Sequence, residues 1–262
     1  MAERSRAATA ASNLAGETLG NVELSSSHGA VRAYVAEPDG PGPFAGVIVL
    51  HEAYGLNDDI RAHADRVAAA GYLAIAPDLY TRGGPARCLV RTMVAATRGQ
   101  GPAFADIDAC RAWLCDHARS NGRVGVVGFC MGGGFALACA GQGRYDVVAP
   151  NYGPVPRHAE RVLQEACPVV GSYGGDDWML RGHARRLEAA LVRAGVDHDV
   201  KEYPGASHSF MSRHTTGFAT AMDRVLQTRY SPEAADDAWA RILAFFERRL
   251  DSSGSRPDSA TD

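Results

Sequence analysis

The sequence has no long hydrophobic run and no excess of charge of either sign. No apolar stretch in its 262 residues approaches the roughly 20 residues that a membrane-spanning helix needs. The N-terminal segment has two arginines but no continuous apolar stretch, so we expect no secretory signal. Lysine and arginine total 27 against 30 aspartate and glutamate residues, a formal net charge of −3. This balance gives no indication of binding to nucleic acid or to an anionic membrane.

Paired cysteines and metal-binding motifs are also lacking. The six cysteines include no CxxC pair, so we expect no disulfide framework but free thiols in a reducing cytoplasm. The HEAYG segment at His51 and Glu52 lacks the second histidine of the HExxH zinc motif. Cys110 and Cys115 lie five residues apart and do not share a helix face, and GFCMGG has no P-loop lysine. We therefore expect no metal ion and no organic cofactor.

One domain, residues 21–250, accounts for most of the chain. Its composition, 46% hydrophobic and 22% charged, is ordinary for a globular protein. A chain of this length buries roughly three quarters of its unfolded surface, so it needs no disulfides to fold. Residues 1–20 are rich in Ala, Ser and Thr, and residues 251–262 are polar and rich in Ser. Both segments are predicted to be disordered tails.

Segments with strand and helix patterns alternate along this domain. The apolar run at 44–52 is typical of a strand that is covered on both faces. The predicted strands are 22–27, 30–38, 44–52, 72–80, 123–129, 145–153, 167–175 and 196–205. The predicted helices are 60–71, 86–97, 104–119, 131–141, 178–195 and 237–250. The alternation predicts an α/β fold, with a doubly wound, mostly parallel sheet and helices on both faces. Ligands of such sheets bind beyond the carboxyl ends of the strands.

A cysteine in the turn GFCMGG, residues 128–133, is the first candidate for chemistry. A sharp turn from strand to helix needs glycines, because neighbouring backbone packs closely against it. The turn places Cys130 at a helix N-terminus, where the helix dipole favours a thiolate and the next N–H group can bind an oxyanion. The alternative is that Cys130 is a small buried residue, as most free cysteines are.

Two acids, a histidine and a glutamate also lie at predicted strand ends. Asp176 and Asp177 in GGDDW and His208 in SHSF follow Cys130 in the order nucleophile, acid, histidine, which is the order of α/β hydrolases. His208 would accept the thiol proton and later protonate the leaving group, while an acid orients the imidazole. Glu52 ends an apolar strand, where a carboxylate is either solvated or held by a partner. We expect it to contact the thiol.

Five segments resemble the dienelactone hydrolase family in the order in which that family has them. They are LHEAYGLND, APDLYTRGG, GVVGFCMGG, SYGGDDWM and YPGASHSF, and the resemblance covers residues 20–250. It implies an α/β-hydrolase fold and hydrolysis of a small-molecule lactone or carboxylic ester through a cysteine thioester. It also implies a triad of Cys130, Asp177 and His208. Glu52 would contact the thiol at rest, and substrate would displace it.

The resemblance implies binding roles for five further residues. The backbone N–H groups of Ala53 and Met131 would form the oxyanion hole. Arg82 matches an arginine that binds a substrate carboxylate, and Tyr152 would line the pocket. Arg213 matches a second such arginine, except that its spacing from His208 is one residue longer than in the family.

The chain departs from the family at two other places. His51 precedes the glutamate where the family has an uncharged residue, so we expect it to alter the pKa of Glu52 or the substrate pocket. The segment 81–103 is rich in Gly and Arg and is expected to form a different lid.

Two other interpretations of Cys130 remain open. A DJ-1/glyoxalase-like enzyme also pairs a cysteine in such a turn with a glutamate at a strand end, but a histidine commonly follows that cysteine, whereas Met131 follows here. A non-catalytic, redox-sensing α/β protein would keep a reactive thiol without turnover.

Overall fold

The computed structural model describes residues 20–214 and 217–251. The two predicted tails, 1–20 and 251–262, lie outside these residues except at positions 20 and 251. Within the described ranges, no helix is both long enough and apolar enough to cross a membrane.

Eight strands in the described residues form one sheet. They are β1 (Gly20–Ser26), β2 (Gly29–Ala36), β3 (Phe44–Leu50), β4 (Leu73–Pro77), β5 (Ser120–Phe129), β6 (Val147–Asn151), β7 (Val169–Gly174) and β8 (His198–Tyr203). Their order across the sheet is β1-β2-β4-β3-β5-β6-β7-β8. β2 is antiparallel to both of its neighbours, and every pair from β4 to β8 is parallel. The predicted mostly parallel sheet is confirmed.

Helices cover both faces of this sheet. They are α1 (Asp58–Ala69), α2 (Gly84–Arg98), α3 (Pro102–Asp116), α4 (Met131–Ala140), α5 (Ala159–Val162), α6 (His183–Ala194), α7 (Gly217–Leu226) and α8 (Pro232–Leu250). Side chains of α3, α4 and α6 belong to one hydrophobic cluster, and those of α1 and α8 belong to a second. The fold is therefore doubly wound, as predicted.

Strand β3 shows why the central strands are apolar throughout. Its side chains alternate between the faces of the sheet. Ile48 and Leu50 lie in the cluster formed with α3 and α4, while Val47 and Val49 lie in the cluster formed with α1 and α8. All four are fully buried. Because both faces are covered by helices, the strand needs an apolar side chain at every position.

Several boundaries differ from the prediction. Segment 81–103, expected to form a different lid, consists largely of α2, which extends the helix predicted at 86–97 by two residues at its start and one at its end. The helix predicted from residue 178 begins only at His183. The Asp177 carboxylate accepts hydrogen bonds from two N–H groups just after it, and Gly182 has a φ of 78°, so the chain turns before the helix starts. Helices α5 and α7 have no counterpart among the predicted helices.

Candidate active site

Cys130 occupies a strained turn between β5 and α4. Its φ of 52° and ψ of −113° are unfavourable for a residue with a side chain. Its N–H donates to the Asn151 carbonyl at 3.0 Å, which helps to hold the turn. A Cβ atom on Gly128 would overlap the backbone of Gly132, and one on Gly132 would overlap the Leu50 carbonyl. Only glycine therefore allows the close backbone packing that sets the sulfur at the N-terminus of α4.

The Cys130 sulfur lies beside an imidazole–carboxylate pair. His208 Nε2 is 3.1 Å from Cys130 Sγ, and His208 Nδ1 is 2.6 Å from Asp177 Oδ2. Asp177 follows β7 and His208 follows β8, so the parallel strands deliver both residues to the same edge as the cysteine. His208 and Asp177 are buried, and Cys130 is partly exposed. The structure thus brings together the three residues implied as a triad.

Of the two adjacent acids, Asp177 is the one that faces the imidazole. Its Oδ1 accepts hydrogen bonds from the N–H groups of Met179 and Leu180 at 3.0 and 3.2 Å. These bonds direct Oδ2 at His208 Nδ1, whereas Asp176 is exposed. With a hydrogen on Nδ1 bonded to the carboxylate, Nε2 is left to exchange a proton with the thiol.

The surroundings of His208 favour its protonated form. Burial by itself would lower the pKa of His208, but the Cys130 sulfur and the Asp177 carboxylate outweigh it and raise the pKa to about 10. An imidazolium is therefore stabilised in contact with the sulfur. This arrangement can hold a thiolate–imidazolium pair, in which the sulfur is a strong nucleophile.

The Glu52 carboxylate is buried directly after β3, but it does not bind the thiol. Its Oε1 accepts a hydrogen bond from Ser212 Oγ at 3.1 Å, and its Oε2 lies 2.5 Å from His214 Nε2. Within residues 20–214 and 217–251, it makes no hydrogen bond with Cys130 Sγ. The contact expected between Glu52 and the thiol is therefore not found, because a hydroxyl and an imidazole already bind both carboxylate oxygens.

His214 is the main site residue that the motifs did not reveal. Its side chain is buried between Glu52 and Asp223, with Nδ1 2.8 Å from Asp223 Oδ1. Burial by itself would lower the pKa of His214, but the two carboxylates outweigh it and raise the pKa to about 9. Burial would raise the pKa of Glu52, and His214 outweighs that effect and lowers it. The only signal in the sequence is a histidine six residues after His208.

The two residues expected to form an oxyanion hole lie on either side of one tyrosine. Met131 begins α4, so its N–H is among the first four of the helix, which have no acceptor within it. Ala53 directly follows Glu52. The Tyr80 hydroxyl donates to the Ala53 carbonyl at 3.1 Å and lies 3.6 Å from Met131 Sδ. Tyr80 therefore links the loop after β3 to the start of α4.

Comparison with known proteins identifies the family. The profile of the dienelactone hydrolase family matches residues 31–250. This chain belongs to the dienelactone hydrolase family. A Saccharolobus solfataricus protein named "Putative carboxymethylenebutenolidase" is 30% identical over 255 residues, which span 83% of this chain and 94% of that protein. A Yersinia pestis protein of the same name is 30% identical over 245 residues and 87% of each chain. The crystal structure of the "Putative Dienelactone Hydrolase" of Klebsiella pneumoniae subsp. pneumoniae has a TM-score of 0.73 at 27% identity, covering 88% of this chain and 98% of that one. The predicted family and α/β-hydrolase fold are confirmed.

In this member of the dienelactone hydrolase family, both candidate carboxylate-binding arginines have other partners. Arg82 forms an ion pair with the buried carboxylate of Asp106 and donates to the Ala30 carbonyl at 3.1 Å. Arg213 is exposed, donates to the Tyr230 hydroxyl at 3.2 Å and lies 4.4 Å from the centre of its ring. In the part of the chain that the structure describes, neither guanidinium binds a triad residue. Their proposed contact with substrate remains a prediction.

Tyr152 and His51 are buried residues that pack against or hydrogen-bond to the site. Tyr152 is fully buried, with its ring centre 5.3 Å from that of His208 and its hydroxyl 3.3 Å from Ser212 Oγ. His51 Nδ1 is 2.6 Å from the Glu52 carbonyl oxygen, and Nε2 accepts a hydrogen bond from Leu79 N–H at 3.1 Å. Burial lowers the pKa of His51. These bonds require a neutral imidazole, which ties the loop after β3 to the loop after β4.

A separate cleft lies between α1, α8 and the loop after β8. Its lining includes His63, Arg66, Arg213 and Trp239 but no triad residue. Among the described residues, there is no group of three or more His, Cys, Asp or Glu side chains that could hold a metal ion.

Proposed function

We propose that this protein hydrolyses a carboxylic ester or lactone through a thioester on Cys130. The observation that carries the proposal is the 3.1 Å separation of Cys130 Sγ and His208 Nε2, with the imidazole held by Asp177. This is the geometry of an activated nucleophile. Membership of the dienelactone hydrolase family supports an ester bond as the target, as do relatives named as carboxymethylenebutenolidases.

The first half of the proposed reaction forms the thioester. The thiolate attacks the carbonyl carbon, and the N–H groups of Ala53 and Met131 stabilise the resulting oxyanion by roughly 3 kcal/mol for each donor. The tetrahedral intermediate then collapses. The bond from carbon to the alcohol oxygen breaks, and His208 gives its proton to that oxygen.

The second half releases the acid. His208 takes a proton from a water molecule, whose oxygen attacks the thioester carbon. The carbon–sulfur bond breaks, and the imidazolium and sulfur again form an ion pair as the acid leaves. With a lactone, the alcohol and the acid remain in a single hydroxy acid. Asp177 keeps the imidazole oriented through both halves.

The test is hydrolysis of p-nitrophenyl acetate by the wild type, Cys130→Ala and a matched variant, Cys115→Ala. Cys115 is also a partly exposed free cysteine. We expect Cys130→Ala to lower kcat by roughly 10³-fold or more and Cys115→Ala to leave it unchanged. Mass spectrometry after acid quenching should find an acetyl group on Cys130 in the wild type. A panel of lactones and esters, with and without a carboxylate, would then define the substrate.

Two results would contradict the proposal. Turnover by Cys130→Ala at the wild-type rate would exclude a thioester on Cys130 as the intermediate. Oxidation of Cys130 by peroxide without hydrolysis of any ester in the panel would instead favour a redox sensor.

A further inference from the structure

A second carboxylate–imidazole array lies beside the triad. His214 Nε2 is 2.5 Å from Glu52 Oε2, and His214 Nδ1 is 2.8 Å from Asp223 Oδ1. The other oxygen of Glu52 accepts from Ser212 Oγ at 3.1 Å, and Asp223 accepts from Thr228 Oγ1 at 2.6 Å. The array thus joins the loop after β3 to the chain after β8 and to α7.

The two central members of this array are removed from water. The exposed fraction is 2% for the His214 side chain and 3% for that of Glu52. A carboxylate at this depth is stable as an anion only beside a cation or several hydrogen-bond donors. Both ring nitrogens of His214 face a carboxylate, Nε2 that of Glu52 and Nδ1 that of Asp223. Both nitrogens must therefore donate, as they do only in a protonated imidazole. Glu52 is therefore held as an anion by a protonated imidazole.

The charged groups that face His214 favour its protonated form. The Tyr54 ring packs against the imidazole at an interplanar angle of 77°, with ring centres 4.8 Å apart. Asp59 on α1 adds an attractive negative charge. His63, also on α1, has its pKa lowered to about 4 by burial, so it is neutral at pH 7 and does not repel His214. Burial would lower the pKa of His214, but its two carboxylate partners raise it to about 9.

Because of this array, His208 is the only hydrogen-bond partner of the Cys130 thiol among the residues that the structure describes. Both oxygens of Glu52 are engaged, and the hydrogen bond of Cys130 Sγ goes to His208. Moving Glu52 to the thiol would break its bonds to Ser212 and His214 and would separate a buried ion pair. A buried charge that loses its partner is strongly destabilising, so Glu52 stays with His214.

This inference rests on the proposed function, in which Cys130 is the nucleophile. We propose that His214 is a positioning residue that holds Glu52 in a buried ion pair. As a result, His208 alone activates the thiol before any substrate binds. This differs from the sequence of events that the family resemblance implies. There, the glutamate contacts the thiol at rest and substrate must displace it.

The test measures the rate at which iodoacetamide alkylates Cys130 at pH 7, followed by mass spectrometry and with no ester present. In the wild type, Cys130 should react faster than Cys115, another partly exposed free cysteine, by on the order of tenfold. His214→Asn keeps a hydrogen-bond donor for Glu52, beside that of Ser212, but removes the positive charge that balances the carboxylate. The negative charge then disfavours the thiolate, and the alkylation rate should fall by on the order of tenfold.

Two further variants separate positioning from a general structural effect. In Glu52→Gln, the added His214→Asn change should cause no fall in the alkylation rate, because the charge that His214 compensates is gone. His198→Asn removes another partly buried histidine, whose Nδ1 lies 2.7 Å from the Val196 carbonyl oxygen, and should leave the alkylation rate unchanged. Circular dichroism verifies that each variant is folded.

Three results would overturn the inference. The first is a wild-type Cys130 that reacts no faster than Cys115, which needs no variant to fold. The second is an unchanged alkylation rate in folded His214→Asn, and the third is an equal fall in rate in the Glu52→Gln background. Alkylation requires no ester hydrolysis, so failure of the two proposals can be told apart. A protein that alkylates as expected but hydrolyses no ester contradicts only the proposed function.

Discussion

The sharpest consequence of the triad geometry concerns Asp177→Asn. This change keeps the size of the side chain and replaces one carboxylate oxygen with an NH₂ group. Oδ1 accepts from the N–H groups of Met179 and Leu180 at 3.0 and 3.2 Å, so an amide must keep its oxygen there. The NH₂ group then occupies the position of Oδ2, 2.6 Å from His208 Nδ1.

This orientation imposes the wrong tautomer on His208. Facing an NH₂ donor, Nδ1 must act as an acceptor, so the ring hydrogen moves to Nε2. Nε2 lies 3.1 Å from Cys130 Sγ and could then only donate to the sulfur. The neutral imidazole could no longer take the thiol proton, and the imidazolium would lose the negative charge that stabilises it.

The expected loss of rate follows from comparison with a serine triad. There, the equivalent substitution lowers kcat about 10⁴-fold, or about 5.5 kcal/mol. A thiol is several pKa units more acidic than a serine hydroxyl, so it depends less on its base. We therefore expect a loss of about 10³-fold, or about 4 kcal/mol in activation free energy.

The assay is hydrolysis of p-nitrophenyl acetate at pH 7, with thermal unfolding measured to verify the fold. Asp176→Asn is the matched control, because Asp176 is the exposed neighbour and should retain the wild-type rate. A folded Asp177→Asn protein within tenfold of the wild-type kcat would refute this reasoning. An equal loss in Asp176→Asn would refute it as well.

Three further predictions concern stability. Gly132→Ala places a methyl group on a backbone carbonyl and should lower the free energy of unfolding by about 3 kcal/mol or more in urea titrations. Arg82→Ala leaves the buried Asp106 carboxylate without its cation and should lower the free energy of unfolding by about 3 kcal/mol. His214 titrates near 6.5 when unfolded and at about 9 when folded, so its contribution is complete below about pH 6.5. The difference in free energy of unfolding between wild type and His214→Asn should narrow as the pH rises through 9.

Each of these stability predictions has a result that would contradict it. A Gly132→Ala protein as stable as the wild type would mean that the turn can relax. An Arg82→Ala protein as stable as the wild type would mean that the Asp106 carboxylate does not depend on this cation. A stability gap for His214→Asn that widens above pH 9 would mean that the imidazole is not held as a cation.

The fold could be predicted from the sequence because its signals are local. The run at β3 must be apolar throughout when both faces are covered, and the glycines of GFCMGG are required by close backbone packing. The start of α6 could not be predicted from local signals, because the turn before it depends on hydrogen bonds that the Asp177 carboxylate accepts. Those bonds exist only once the carboxylate is placed beside His208.

Some residues of the candidate site could likewise be predicted from the sequence, and others could not. Cys130, Asp177 and His208 lie at strand ends, where chain order and fold class suffice to bring them together. The role of His214 depends on Asp223, whose position is set by the packing of α7, an element that has no counterpart among the predicted helices. A motif records which residues are present at a given spacing, but not which distant carboxylate a loop histidine meets.

The triad and the Glu52–His214 array lie at the same edge of the sheet, and positive and negative groups alternate in both. In the proposed resting state, Asp177, His208 and the Cys130 thiolate form one line of alternating charge, and Glu52 and His214 begin a second. Because these groups are largely buried, each charge must be balanced by its neighbour within the protein and not by water. A buried glutamate in the same site as the proposed thiolate is tolerable only if its charge is balanced, and the imidazole of His214 provides that balance. The same ion pair that stabilises the loops therefore determines whether the nucleophile is ready before substrate arrives.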